Sequence, residues 1–391
     1  MAKLINLKVF KAFSDSSSAG GMLLIFCVII SLIIANTGIA TGFEDFLNTK
    51  IGFTSKSLNL DYPVLIWIND GLMAIFFLLV GLEIKREIVE GELSSFRKAS
   101  LPVLAAIGGV LVPAVIFSLF NNGTPTANGW GIPMATDIAF ALGILSLLGN
   151  KVPSGLKIFL AALAIVDDLM AILVIAIFYS TELHLNYLAY AGGLFALQII
   201  FNRIGVKNIF FYIIPGVVMW YFIHHSGVHA TIAGVLTALT LPTTEGADES
   251  PLEKLEHALT KPVNFLIMPI FAIANTNITF ESGMTEGLIS NLGLGIVLGL
   301  FLGKPIGIFA MSWLSVKLNI AQLPESTKWT HVLGLGILGG IGFTMSIFIA
   351  LLSFNDPALQ AEAKFAILIA SIIAGITGFL LLKKFNKRSA T

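Results

Sequence analysis

Apolar stretches close to the length of a membrane-crossing helix recur along the whole chain. A helix needs roughly 20 apolar residues to cross hydrocarbon about 30 Å thick. The composition agrees, because 56% of the 391 residues are hydrophobic, only 12% are charged, and the mean hydropathy is +0.90. The pattern predicts an all-α membrane protein that forms one integral domain over residues 1–391. The twelve predicted spans are 21–37, 63–84, 101–120, 131–148, 157–179, 185–202, 208–224, 227–241, 262–279, 288–313, 330–352 and 364–382.

The basic residues of the loops predict how these spans are oriented. Lysine and arginine concentrate in the cytoplasmic loops of membrane proteins. Alternate loops of this chain carry most of its 23 basic residues, whereas the intervening loops hold only Lys50 and Lys56. Both termini are therefore predicted to be cytoplasmic, with residues 1–20 as a cytoplasmic segment. A basic start before an apolar run also resembles a secretory signal, but the loop pattern needs that run as a retained span.

Residues 39–62 are the one substantial outer connection, and the remaining eleven spans follow over residues 63–383. Its stretch "KIGFTSKSLNLDY" alternates well enough to predict a small β-hairpin. A polar loop with no partner fits the same pattern equally well. A hairpin edge could pair two protomers, which predicts a homodimer.

Charge and cysteine content narrow the possible partners. The 23 basic residues are balanced by 23 acidic residues, so the chain has no basic excess to attract phosphates, and nucleic acid is not an expected partner. Membrane lipid is the expected surrounding. Cys27 is the only cysteine, so an internal disulfide cannot stabilise the fold.

Charged residues inside the predicted spans are functional candidates, because the membrane makes them expensive. The deep ones are Asp137, Asp167, Asp168 and Lys304, with Glu83 and Asp70 nearer the ends of the second span. An ionised aspartate at mid-helix costs ~2.5–3.5 kcal/mol. Two in succession, in "LAALAIVDDLMAILVIAIF", therefore predict a water-filled cavity, a bound cation or protonation. Two adjacent ionised carboxylates repel, and either a proton or a bound cation relieves the repulsion, so the pair can switch between H⁺ and a metal cation.

Asp167 and Asp168 need not have the same role. Adjacent helical positions point about 100° apart, so one side chain can face an ion path while the other faces a neighbouring helix. Lys304 is the only deep cation and a natural partner for one of these carboxylates. The pair could be breakable and linked to protonation, or Lys304 could be a permanent structural counter-ion. The transport interpretation is favoured.

Two predicted spans carry signs of interruption. In "GIPMATDIAFALGIL", Pro133 removes a backbone donor, which predicts a break near Thr136 and Asp137. In "GLGILGGIGFTMSIF", five glycines lie between Gly334 and Gly342. Interrupted spans in both halves indicate crossed, broken helices at a transporter binding site. For the glycines alone, close helix packing would be the better interpretation. Asp137 would compensate positive helix N-termini, and Lys304 could compensate negative C-termini.

Several segments together resemble a known family. "ATDIAFALGIL", "ALAIVDDLMAI", "LGKPIGI", "SGVHATIAGV" and "GGIGFTMSIFIA" are similar to the signature segments of the bacterial Na⁺/H⁺ antiporter family NhaA, in order and over essentially the whole chain. The resemblance implies twelve transmembrane helices with inverted repeats. It also implies that two discontinuous helices, spans 4 and 11, cross near the midplane, and that a cytoplasmic funnel leads to paired aspartates.

The resemblance also implies roles for the deep charges. Asp168 is implied as a principal Na⁺ ligand and proton carrier, with Asp167 beside it in the binding and proton cycle. Lys304 is implied to release or take up charge as Asp167 changes state. Asp137 and Thr136 are implied to lie beside the ion site, at the break in the fourth span.

A pH-sensing region at the cytoplasmic mouth is implied as well. Its residues are Glu83, Arg86, Glu87, Lys254, Glu256 and His257. His229 is implied as a modulator of the pH response near the outer side. The chain departs from the family pattern at Glu253 and Thr260, so the pH set-point is not predicted. The charge run 253–257 is also what a solvated helix start looks like.

The implied function is secondary active antiport in the bacterial inner membrane. Na⁺ and Li⁺ would be exported in exchange for inward H⁺, electrogenically and with activation at alkaline pH, for sodium and pH homeostasis. No cofactor and no enzymatic activity are expected, since the spans show no nucleophile–base pair, HExxH motif or phosphate loop. His225 and His229 have the i, i+4 spacing of metal ligands, but Gly227 interrupts the helix register, and metal ligation is not expected. The alternatives are a proton-coupled carrier of a small organic substrate and a passive cation channel.

Overall fold

The computed structural model describes residues 19–55, 59–149, 152–180, 182–243, 249–280 and 283–387. The predicted cytoplasmic segment 1–20 lies almost entirely outside these ranges, and so do the last four residues of the chain. The described ranges are mainly helical, with two very short strands and connecting turns and loops.

The helices and strands follow one another along the chain in a simple order. They are α1 (Ala19–Ala35), α2 (Ala40–Asn48), β1 (Lys50–Ile51), β2 (Tyr62–Pro63), α3 (Val64–Val89), α4 (Phe96–Asn121), α5 (Ile138–Leu147), α6 (Ser154–Phe178), α7 (Leu185–Arg203), α8 (Phe210–His224), α9 (Ile232–Thr240), α10 (Pro251–Asn275), α11 (Met284–Gly287), α12 (Asn291–Lys317), α13 (Trp329–Gly339), α14 (Phe343–Ser353) and α15 (Pro357–Lys387). A 3₁₀ turn, Ala127–Met134, lies between α4 and α5.

Within the described ranges, seven helical segments are long and apolar enough to cross a membrane, and nine are if two bent pairs each count as one span. The bent pairs are α1 with α2, at 108°, and α13 with α14, at 45°. The chain is thus an all-α, multi-pass membrane protein. Three predicted spans, now α7, α8 and α9, fall outside this set, because α7 carries polar residues, α8 has 15 residues and α9 only nine. The count of twelve, the inverted repeats, the helix crossing and the cytoplasmic termini stay predictions.

The predicted outer connection contains both a helix and a strand pair. Helix α2 occupies residues 40–48, which the sequence pattern did not predict. Strands β1 and β2 pair antiparallel, with Lys50 opposite Pro63 and Ile51 opposite Tyr62. An isolated bridge joins Thr54 to Asn59, and residues 56–58 lie outside the described ranges.

Three of the long helices contain a π-turn, in which one extra residue widens the helix. The π-turns are Trp67–Leu72 in α3, Val263–Ile267 in α10 and Gly299–Gly303 in α12. Such turns are rare in proteins, and those that occur are often found at functional sites. All three lie in helices that carry candidate functional residues, and the turn in α12 ends directly before Lys304.

Helices α4 and α12 pack backbone against backbone. A Cβ atom on Gly307 would lie 2.0 Å from the carbonyl oxygen of Gly108, and one on Gly108 would lie 2.2 Å from the carbonyl oxygen of Gly307. Only glycine permits this approach. Because Lys304 lies one turn before Gly307, the contact fixes the position from which the lysine side chain reaches the protein interior.

Candidate functional site

The two predicted interruptions lie against each other in the protein interior. After the 3₁₀ turn, the chain is extended at Ala135 and Asp137 before α5 begins at Ile138. Helices α13 and α14 are separated by residues 340–342. The Asp137 amide donates to the carbonyl oxygen of Ile341 at 2.6 Å, and the Thr136 hydroxyl donates to that of Gly339 at 2.8 Å. Polar backbone groups freed by each break are thus satisfied by the other break, as a low-dielectric interior requires.

The carboxylate of Asp137 caps the N-termini of two helices. Its Oδ1 accepts from the Phe140 amide at 3.0 Å, in the first turn of α5. Its Oδ2 accepts from the Thr344 amide at 3.0 Å and from the Thr344 hydroxyl, in the first turn of α14. An anion at a helix N-terminus is favoured by the helix dipole. Here one anion serves two half-helices, and it is itself buried.

Asp167 and Lys304 form a fully buried ion pair. The Lys304 ammonium donates to Asp167 Oδ2, and neither side chain is exposed to solvent. Thr136 lies beside the Asp167 carboxylate, which places this pair next to the interruption. The hydrogen-bond partner of Lys304 is therefore a carboxylate on α6.

Asp168 points away from that pair. It lines a cavity of about 550 Å³ together with Glu83, Asp137 and Thr344, whereas Asp167 does not border this cavity. Asp168 Oδ1 has no hydrogen-bond partner among the described residues. The two adjacent aspartates thus have different surroundings, since one pairs with a lysine and the other borders a cavity.

Most of the residues implied in pH sensing lie together at the end of α3. The Arg86 Nε donates to Glu256 Oε2 at 2.9 Å, and an Arg86 terminal nitrogen lies 3.4 Å from Glu87 Oε1. Glu83 interacts electrostatically with all three of these residues and also lines the cavity. This group therefore connects directly with the space that Asp168 borders.

The other residues implied in pH sensing lie elsewhere. Lys254 is exposed on α10, and His257 pairs with Glu249 at 2.7 Å, also on the surface. His229 lies near Asp70, with its Nε2 3.1 Å from the carbonyl oxygen of Tyr179. At 1.5 Å rise per residue, Asp70 is roughly 24 Å along α3 from Arg86. The structure does not bring His229 together with the group at the cavity.

The structure also adds residues that the sequence pattern did not single out. Thr344 completes the double cap on Asp137. Lys261 and Asn264 of α10 line the cavity, together with Thr260, which the sequence marked only as a departure from the family pattern. Thr344 could have been found, because it stands two positions after Gly342, where a helix start follows the glycine-rich break. The α10 residues carry no such signal.

Comparison with known proteins places this arrangement in a family. The family model described as Na⁺/H⁺ antiporter 1 matches residues 11–382. The chain belongs to this family. Relatives of the Na⁺/H⁺ antiporter 1 family include a protein named Na⁺/H⁺ antiporter NhaA 2 from Flavobacterium johnsoniae, 73% identical over 388 residues, which covers 99% of this chain and 95% of the relative.

Other antiporter relatives are similar over nearly the same length. A protein named Na⁺/H⁺ antiporter NhaA from Flavobacterium psychrophilum is 53% identical over 381 residues, 97% of each chain. One named Na⁺/H⁺ antiporter NhaA 1 from Clostridium beijerinckii is 51% identical over 380 residues, 96% of this chain and 94% of the relative. The resemblance seen in the sequence motifs is confirmed, and these relatives are named as antiporters and not as enzymes.

In this member of the antiporter family, Asp168, Asp137, Thr344 and Asn264 line the cavity, and their side chains carry carboxylate, hydroxyl and amide oxygens. Oxygen ligands suit small hard cations. Within the described ranges, no three histidine, cysteine, aspartate or glutamate side chains converge as a metal-binding group. A cation beside Asp168 would therefore complete its coordination with hydroxyl, amide, backbone or water oxygens.

Proposed function

We propose that the protein exports Na⁺, and also Li⁺, in exchange for inward H⁺, as a multi-pass protein of the bacterial inner membrane. Membership of the Na⁺/H⁺ antiporter 1 family supports the exchanged ions. The single observation that carries the proposal is the pair of unlike environments at Asp167 and Asp168. A carboxylate that borders a cavity can hold either a proton or a small cation, and the two compete for it.

Asp168 is the proposed principal cation ligand and proton carrier, and Asp167 with Lys304 forms the second charged unit. While Asp167 is ionised, it holds the lysine ammonium. When Asp167 takes up a proton, the attraction weakens and Lys304 is released. If both aspartates exchange protons while one cation binds, each cycle moves net positive charge inward. The membrane potential then drives export, at about 2.3 kcal/mol per charge per 100 mV.

Activation at alkaline pH follows from the same competition. Fewer protons at the cavity leave Asp168 ionised more of the time, so that Na⁺ binds more readily. The group of Arg86, Glu87 and Glu256 lies where it can respond to pH on the same side, because it interacts with Glu83 in the cavity wall.

A homodimer is proposed through the outer hairpin. Among the described residues, strand β1 pairs with β2 along one edge, and the other edge could pair with a second copy. Ile51 and Phe53 of the hairpin are exposed, which adds apolar surface at this edge.

The test uses purified protein in proteoliposomes with an acidic interior and a pH-sensitive dye. Addition of Na⁺ or Li⁺ should collapse the pH gradient, whereas K⁺ should not. Asp168→Asn should abolish the response. The matched control, Asp45→Asn, makes the same chemical change on an exposed carboxyl of α2 and should leave the response intact. No response to Na⁺ at any alkaline pH, or full activity in Asp168→Asn, would overturn the proposal.

The same vesicles separate the alternative functions. A K⁺ diffusion potential set with valinomycin should change the exchange rate, and an indifferent rate would contradict electrogenic exchange. A cation current that reverses at the Na⁺ equilibrium potential, without proton movement, would indicate a channel. Collapse of the gradient by organic solutes and not by Na⁺ would indicate an organic substrate carrier.

A further inference from the structure

A second group of titratable side chains lies at the end of α3 opposite the Asp168 cavity. Asp70 belongs to the π-turn of α3, and His224 is the last residue of α8. His224 Nδ1 lies 3.1 Å from Asp70 Oδ2, with the two side chains 19% and 20% exposed. The pair is thus mostly buried, with about a fifth of each side chain exposed, near the start of α3 and the end of α8.

Aromatic contacts hold this pair in position. The Trp220 ring stacks on His224, with ring centroids 5.8 Å apart and planes 22° apart, and the Trp220 indole donates to the Asp70 carbonyl at 3.1 Å. Tyr62 of β2 meets the His224 ring edge-on at 4.9 Å. Trp67 stacks on Trp220 at 5.9 Å and donates to the Ile51 carbonyl at 2.8 Å. The imidazole is therefore fixed against the carboxylate by elements from three parts of the chain.

Several other titratable groups face His224, and each has a partner of its own. From α8, His225 lies 5.3 Å from His224 between ring centroids, and its Nδ1 lies 2.9 Å from the Tyr221 carbonyl. From β2, the Tyr62 hydroxyl lies 3.3 Å from His225 Nε2. From the segment before α9, His229 interacts electrostatically with both Asp70 and His224. Among these described groups, Asp70 is the carboxylate, so it is the residue that can stabilise a proton on His224.

The same end of α3 is joined to the helix that lines the cavity. Asn69 and Asn275 exchange amide hydrogen bonds at 3.2 Å and 2.7 Å, which connects the π-turn of α3 to the last residue of α10. Both helices also line the cavity, through Phe76 of α3 and Met268 of α10. The amide pair therefore links the end of α3 that carries Asp70 to a helix that also borders the cavity.

The cavity itself is at the other end. It is bordered by Glu83 near the C-terminal end of α3 and by Lys261, which is exposed on α10. Exchange requires access to Asp168 from both faces in turn, so protons must also enter from the face where Asp70 and His224 lie.

We propose that Asp70 and His224 are the proton-uptake pair of the exchange on the face opposite the Asp168 cavity. This inference rests on the proposed function. A proton from water on that face binds the imidazole of His224, and the pair gains one positive charge, which Asp70 stabilises. Passage of the proton inward returns the imidazole to its neutral form. A histidine is suited to this step because its charge changes between about pH 5 and 8, whereas an isolated carboxylate takes up protons only at much lower pH.

The test varies pH on one face at a time. Everted membrane vesicles that contain the full chain are given ²²Na⁺ in a bath at fixed pH 8, while the lumen is preset between pH 5 and 8.5, and initial uptake is measured. The opposite arrangement, with bath pH varied and lumen fixed, is run in parallel. Wild type should show one pH profile for each face.

The face on which Asp70 and His224 lie is called the Asp70 face. His224→Gln should lower uptake about fivefold when the pH on the Asp70 face is neutral, and uptake should recover only when that pH is near 5. The half-saturating Na⁺ concentration on the cavity face should be unchanged, which also shows that the variant is folded. Asp70→Asn should move the midpoint on the Asp70 face to lower pH, whereas Asp70→Glu should restore most of the wild-type profile. His184→Gln, an exposed histidine whose Nδ1 contacts only the Glu182 carbonyl, is the matched control and should behave as wild type.

Wild-type profiles on the Asp70 face from both His224→Gln and Asp70→Asn would overturn the inference. Loss of uptake that no pH on that face restores would also overturn it, because it would indicate a structural role. If wild type itself does not exchange Na⁺ for H⁺, the proposed function has failed. If wild type takes up Na⁺ in exchange for H⁺ and both variants behave like wild type, the proposal of an uptake pair is refuted and the proposed function stands.

Discussion

The buried pair of Asp167 and Lys304 gives a prediction whose size follows from its burial. Neither side chain is exposed, so removal of one partner leaves the other charge without compensation in a low-dielectric interior. Breaking a pair of this kind costs about 3–5 kcal/mol, whereas replacing both partners with residues of similar volume is often close to neutral. Asp167→Asn and Lys304→Met should therefore each destabilise strongly, and the double variant should be destabilised by less than either.

The measurement is a double-mutant cycle on reversible unfolding of the purified protein in mixed micelles. The coupling free energy should be at least about 3 kcal/mol, since residues that share a buried charge pair are strongly non-additive. The control cycle uses Lys50 and Asp61, whose charged atoms lie 3.9 Å apart with side chains 65% and 37% exposed. That cycle should give less than about 1 kcal/mol. Additive effects for the buried pair would refute the reasoning.

Three further predictions concern the cap, the helix packing and competition at the cavity. Thr344→Val removes a hydroxyl donor from the buried Asp137 carboxylate and should cost about 1–3 kcal/mol, whereas Thr344→Ser should cost much less, as thermal melts would show. Gly307→Ala places a Cβ 2.0 Å from a backbone oxygen of α4 and should lower the free energy of unfolding by ~1–3 kcal/mol or more. The control is Gly192→Ala, whose Cβ meets nothing within 4 Å. Expression and thermal melting of both variants would check this. Raising the pH on the cavity face should lower the half-saturating Na⁺ concentration, by up to about tenfold per unit while protons compete at Asp168, in ²²Na⁺ uptake. A half-saturating concentration that does not change with pH would contradict competition at one carboxylate.

The sequence predicted most of the membrane-crossing helices because long apolar runs constrain structure locally. The interruption near Thr136 was also predictable locally, because Pro133 has no backbone N–H to donate. The sequence also indicated that adjacent aspartates face different directions, and the structure places Asp168 at the cavity and Asp167 at Lys304.

The rest could not be predicted because it depends on contacts between distant segments. The π-turn at Val263–Ile267 was not predicted from the sequence. The cap from Asp137 to Thr344 joins residues more than two hundred positions apart. The pairing of Asp70 with His224 likewise joins two helices whose spacing in the chain gives no hint of proximity.

The double cap at Asp137 has a mechanical consequence. One carboxylate holds the first turns of both α5 and α14, with hydrogen bonds of 3.0 Å on each side. If α14 slides by more than a hydrogen-bond length, either its hydrogen bonds to Asp137 break or α5 moves with it. While these hydrogen bonds hold, α5 and α14 move together as one rigid unit joined through the Asp137 side chain. A rearrangement that exposes Asp168 to the other face therefore has to move both half-helices together or break the junction between them.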